Sequence, residues 1–201
     1  VFDGVHRGHH ELIDAVVRDA RDHGCKAVVV TFDPDPDVVV SPSPAQKLMT
    51  TADRLHALAL IGVDAVVAVP FTPEVAALDH VDFLSLVSRL VVDIRSIRVG
   101  SDFRLGRGGA SGVAEMQAWG AERGVDVYGH ELLCVDGQII CATRIRQELR
   151  QGHVELAAEL LGRPYMLRGI VAGGRHQGSD MGFPTANIQV PEGIQVPADG
   201  V

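Results

Sequence analysis

The segment Phe2-Asp3-Gly4-Val5-His6-Arg7-Gly8-His9 sets two imidazoles three residues apart across a glycine-rich turn. Where a strand gives way to a helix, the first backbone N–H groups are free and the helix dipole favours an anion before them. Gly4 and Gly8 carry no Cβ, which would let a phosphate come close to the backbone. Imidazole donors beside that phosphate suit the charge that builds on a phosphoryl group in transfer. Two other readings stand next to this one. The histidines could be surface residues at a helix cap. They could also hold zinc, because His10-Glu11 opens an H-E-x-x-H pattern, yet position 14 is Asp14 and the second histidine is absent.

Four more segments carry polar groups at turns. Thr31-Phe32-Asp33-Pro34-Asp35-Pro36 follows an apolar run. If Asp35 faced a phosphate, its carboxylate would repel it unless a cation intervened. Val99-Gly100-Ser101-Asp102-Phe103-Arg104-Leu105-Gly106-Arg107 also follows a β-like run, and Ile140-Cys141-Ala142-Thr143-Arg144-Ile145-Arg146 opens a helix-like one. The last segment runs from Gly162-Arg163-Pro164-Tyr165 through Gly169, Gly174, Gly178 and Gly182 to Phe183-Pro184-Thr185-Ala186-Asn187. Its glycines would allow the chain to fold over phosphates.

The elements that must position these groups follow from periodicity. Residues 8–23 carry Leu12, Ile13, Val16, Val17 and Ala20 at helical spacing and stop at Gly24. Lys26–Phe32 and Asp64–Val69 are β-branched runs, as in strands buried on both faces of a parallel sheet. Asp33–Pro44, with its four prolines, is expected to be loop. Helices are expected over Thr51–Ile61, His80–Val92 and Val113–Arg123, and strands over Ile94–Val99 and Val125–Tyr128. Asp136-Gly137 marks a hairpin between Leu132–Val135 and Gln138–Cys141. Two short helices, Thr143–Gln151 and Val154–Leu161, are split at Gly152, and Tyr165–Ala172 reads as a strand of a separate β domain. This alternation predicts an α/β fold with an open, mostly parallel sheet, whose ligands sit beyond the C-terminal ends of the strands.

Composition narrows the classes. The 201 residues are 46% hydrophobic and 22% charged, which is ordinary for a globular chain. The net charge is −8, and acidic residues outnumber basic ones both before and after residue 150, so nucleic-acid binding through phosphate neutralisation has little support. No apolar run approaches the ~18 residues that span a bilayer, so no membrane role is expected. Cys25, Cys134 and Cys141 are widely spaced and odd in number, which fits a reducing cytoplasm better than a disulfide framework. Val1-Phe2 reads as the end of a strand and Gly200-Val201 as the start of another, so the chain is expected to be a segment of something longer.

Taken in order, these segments resemble the prokaryotic bifunctional riboflavin kinase/FAD synthetase family over nearly the whole chain. His6-Arg7-Gly8-His9 is similar to the H-x-G-H signature of the nucleotidylyltransferases, and Gly182–Asn187 to the entry of riboflavin kinase domains. The resemblance implies a Rossmann-like FMN adenylyltransferase domain over residues 1–147, a helical linker over 148–163, and the first part of a β-barrel kinase domain over 164–201. It implies ATP, FMN and riboflavin as substrates and Mg²⁺ as cofactor. His6, His9 and Arg146 would be catalytic; Phe2, Gly4, Gly8, Asp102, Thr143 and Arg146 would bind ATP or its phosphates. Gly174, Gly178, Thr185 and Asn187 would bind the kinase nucleotide, with Thr185 and Asn187 holding Mg²⁺. Four positions depart from the family: Asp35 stands for a histidine, Leu105 for an aromatic, and Cys141 and Ala142 for two serines. Asp35, Cys141 and Ala142 leave open a non-catalytic nucleotide- or flavin-binding relative, or an adenylyltransferase for another small phosphate ester. The kinase-like part, being short, is expected not to phosphorylate riboflavin alone.

Overall fold

Val28–Asp33 (β1) and Ala65–Pro70 (β2) pair in parallel, with Val28 opposite Ala65 and Phe32 opposite Val69. Ser96–Gly100 (β3) and Asp126–His130 (β4) form a second parallel pair. The computed structural model describes residues 1–173 and 186–200. Among the described residues no ladder joins the two pairs, so the strands run parallel as expected but are bonded as two pairs.

Helices cover these strands. Arg7–Asp22 (α1) turns Ile13, Val17 and Ala20 inward, the one-sided spacing of an amphipathic helix, against Val29 and Leu58. Thr51–Leu60 (α3, following a shorter helix described below) starts where the Thr50 hydroxyl accepts the Asp53 N–H at 3.1 Å. His80–Leu90 (α5) and Val113–Ala121 (α6) close a second core around Leu84, Met116, Trp119 and Val127. Ala142–Arg150 (α7) and Val154–Leu161 (α8) form a hairpin hinged at Gly152, whose φ is +80°, and bury Ile145, Leu149, Leu160 and Leu161 with Leu48. The hairpin of Cys134–Val135 (β5) and Gln138–Ile139 (β6) turns at Asp136 and Gly137, both at positive φ, as its two-residue turn requires. The three cysteines are free.

Two expectations are revised. The proline-rich stretch holds a short helix, Pro36–Val40 (α2), because Pro36 sits at a first-turn position where its missing N–H and fixed φ do no harm. Pro73–Ala77 (α4) repeats the device, with Thr72 Oγ1 accepting the Val75 N–H. Within Tyr165–Ala172, only Ile170–Ala172 (β7) is a strand, paired antiparallel with Asn187–Gln189 (β8). Beyond β8 the chain returns to the first part of the molecule. The Lys47 N–H donates to Gly193 O (2.7 Å), the Gln195 N–H to Lys47 O (2.8 Å), and the Ala198 N–H to Leu149 O (2.9 Å). No helix among the described residues is long and apolar enough to cross a membrane.

Candidate active site

The turn before α1 is tightly held. The Val5 N–H donates to Phe2 O at 3.1 Å, Gly4 has φ +77° and Val5 has φ +41°. A β-branched residue in the left-handed region is strained and persists only where its surroundings enforce it. Val5 is fully buried, and the Arg163 guanidinium donates to Gly4 O (2.6 Å) and Val5 O (3.0 Å). The glycines serve this packing. A Cβ on Gly4 would lie 2.6 Å from Leu48 Cδ1, and one on Gly8 would meet the His6 ring at 3.4 Å. At Gly4 the side-chain direction is filled by Leu48 and Leu161, whereas at Gly8 a Cβ would make only ordinary contact with the His6 ring.

His6 ends the turn and His9 lies one turn into α1. Their rings stack at 3.6 Å and 20°, and Phe2 packs edge-on against His9 at 5.0 Å. The His6 backbone N–H donates to His9 Nδ1 at 3.3 Å. That bond makes Nδ1 an acceptor and leaves the His9 proton on Nε2, a neutral donor. Burial, then the neighbouring His10 and Arg163 charges, pushes His6 down to about 4. Burial, then His6, holds His9 well below the usual histidine range. Both rings are neutral at pH 7, and the His6 Nδ1 is buried without a partner among the described residues.

A stability prediction follows. The folded His6 resists a proton that the unfolded chain takes up below pH 6.5. Its contribution is therefore complete above that pH and is lost as pH falls toward about 4. From pH 7 to pH 5 this loss is about 2 kcal/mol, with His9 acting in the same sense. Urea unfolding at the two values measures it, and His6→Asn should flatten the slope.

Arg146 reaches the turn from α7. Its Nη1 donates to Asp3 Oδ2 at 2.7 Å and its Nη2 to Thr143 Oγ1 at 3.4 Å. The buried Asp3 also accepts the Leu48 N–H, at 2.9 and 3.2 Å to its two oxygens. Burial raises the Asp3 carboxyl, against the opposing pull of the Leu48 N–H and Arg146. Cys141 stands at the N-cap of α7 and its side chain caps nothing. Asp102 is exposed just after β3. Phe2, His6 and His9 are linked by one set of contacts and Asp3, Arg146 and Thr143 by another, and the chain joins the two sets at Phe2-Asp3.

Asp35 does not present a free carboxylate. It is buried, bonded to the buried Arg54 and 3.4 Å from Lys47 Nζ, while Arg54 also donates to Phe32 O at 2.7 Å. Asn187 is exposed at the start of β8, opposite Ala172. Gly174, Gly178 and Thr185 lie outside the described residues. Among the described residues no three His, Cys, Asp or Glu side chains gather to hold a metal, and Asn187 alone does not make a Mg²⁺ site. Asp3, Leu48 and Arg163 were not singled out by the sequence reading. Asp3 and Arg163 lie inside segments it quoted, but nothing there tells which backbone groups they bond.

Comparison with known proteins gives the same picture. Residues 1–144 match the FAD synthetase family and residues 161–201 match the riboflavin kinase family. The chain is 33% identical to the bifunctional riboflavin kinase/FMN adenylyltransferase of Escherichia coli K12 over 201 residues, covering 100% of this chain and 64% of that protein. The Listeria monocytogenes protein of the same name is also 33% identical, with the same coverage. The Bacillus subtilis one is 31% identical, with 100% of this chain and 63% of that protein covered. A solved structure titled as a macrolide-efflux protein from Streptococcus pneumoniae superposes with a TM-score of 0.88 at 28% identity, over 99% of this chain and 65% of that one. The chain thus spans about 64% of the length of the first curated relatives. The FAD synthetase match covers the first three of the five segments and the fourth as far as Arg144, and the chain belongs to the FAD synthetase family.

Proposed function

We propose that the protein serves FAD biosynthesis by transferring AMP from ATP to FMN, and that its kinase-matched part serves phosphorylation of riboflavin by ATP. The observation that carries this reading is the stacked, neutral His6–His9 pair at the end of the turn whose Asp3 is ion-paired with Arg146. An FMN phosphate oxygen attacks the α-phosphorus of ATP, the bond to the bridging oxygen breaks, and pyrophosphate leaves. His9 Nε2–H and Arg146 donate to the phosphate oxygens on which charge gathers, and Thr143 steadies Arg146. Phe2 keeps water from the back of the His9 ring, and Asp102 borders the nucleotide. The proposed division is an adenylyltransferase domain over 1–147 with a Rossmann-like sheet, a linker over 148–163 and a kinase part over 164–201. Mg²⁺ supplies charge neutralisation to ATP phosphates, and Thr185 and Asn187 are the oxygen donors proposed for it in the kinase part. The free thiols suit a cytoplasmic setting.

The test is FAD formation from FMN and Mg-ATP, resolved by chromatography. FAD and pyrophosphate in equal amounts support the reading. Binding of ATP with no FAD formed would instead favour a non-catalytic nucleotide-binding role, to which the absence of side-chain capping at Cys141 also points.

A further inference from the structure

We propose that Asp3 is a positioning residue for Arg146, and that residues 193–195 hold the Lys47–Leu48 peptide that fixes Asp3. The proposal rests on the phosphate-binding role given to Arg146 above.

An arginine side chain is long and flexible, and a phosphate clamp needs it aimed before the ligand arrives. Asp3 supplies the aim. Its carboxylate lies 2.7 Å from Arg146 Nη1, and the two side chains are 8% and 12% exposed. The carboxylate cannot swing, because both of its oxygens accept the Leu48 N–H. The Leu48 peptide cannot drift either. Lys47 is bonded through its N–H to Gly193 O and through its carbonyl to the Gln195 N–H. Leu48 is itself packed with Ile145, Leu149 and Leu161 of the two helices that carry and follow Arg146. The guanidinium has five donors in a rigid fork, and Asp3 and Thr143 take one each. Among the described residues the others have no partner and remain for an anion. Before a phosphate is bound, the pairing also leaves neither partner as an uncompensated charge in a dry site.

Asp3→Asn separates aim from packing, because the amide oxygen still accepts the Leu48 N–H while the charge on Arg146's partner is lost. A residue that only binds substrate changes KM; one that orders a group for the transition state changes kcat. For Asp3→Asn, kcat for FAD formation should fall about tenfold and KM for ATP change less than about threefold. Arg146→Ala should fall at least as far, and the double variant no further than Arg146→Ala alone, since the two act as one unit. An unimpaired Arg146→Ala, or a parent protein that forms no FAD, overturns the site reading and this proposal with it. An impaired Arg146→Ala with normal Asp3→Asn, or additive losses in the double variant, overturns the positioning role alone. If Asp3→Asn does not fold, Gln195→Pro and Gln195→Ala take its place. Proline removes the N–H given to Lys47 O, alanine keeps it, and only the proline variant should lower kcat; equal effects overturn the proposal.

Discussion

Replacing His9 with alanine is expected to lower FAD formation on the order of 10²-fold or more, with the melting temperature near that of the parent. The ring is half-buried and already neutral, so the loss removes a donor rather than a structural charge. What disappears is an Nε2–H whose direction is set by the His6 backbone N–H on Nδ1 and by stacking on the His6 ring. Such a donor does its work without rearranging as the leaving phosphates gain charge. His9→Asn should recover part of the rate, because its amide also donates. Unchanged turnover in His9→Ala would remove His9 from the mechanism. A collapse of the melting temperature would show that Phe2 and His6 depend on the ring for packing.

The second large effect concerns stability. Arg54→Ala is expected to lower unfolding free energy by about 3–5 kcal/mol, because Asp35 is left as a buried carboxylate. Lys47 lies 3.4 Å from it but already serves Asp37, and Arg54 also satisfies Phe32 O. Removing both charges, as in Arg54→Leu with Asp35→Asn, should cost clearly less than Arg54→Ala alone, since breaking a buried pair costs more than deleting it. Urea unfolding of the two variants decides it. If the double variant is as unstable as the single one, the pair is not coupled.

Much of the fold was legible in the sequence because it is written in local patterns. Continuous β-branched runs gave β1 and β2, Asp136-Gly137 gave the hairpin turn, and Gly152 gave the break between α7 and α8. The short helix α2 was missed because the prolines of Asp33–Pro44 were read as breakers, although at a first-turn position proline starts a helix. In the site, residue types at fixed spacing made His6 and His9 candidates, and the family resemblance added Thr143 and Arg146. The partners were not legible. Arg54, which answers the Asp35 carboxylate, is 19 residues away, and Asp3 meets Arg146 across 143 residues. No periodicity reports contacts at such separations. At Gly4 the space that a Cβ would take is filled by Leu48 and Leu161, which come from distant segments.

The junction of Lys47 with Gly193 and Gln195 is made of main-chain bonds, between a segment matched to one family and a segment matched to another. Bonds of that kind are indifferent to side-chain identity and sensitive to spacing. Most substitutions on either side of the junction can accumulate without parting it, provided that proline stays out. One inserted or deleted residue between Pro191 and Ala198 would shift the donors against the acceptors and strand the Ala198 N–H from Leu149 O. The two parts of the chain are therefore free to diverge in sequence while held to a shared ruler in length.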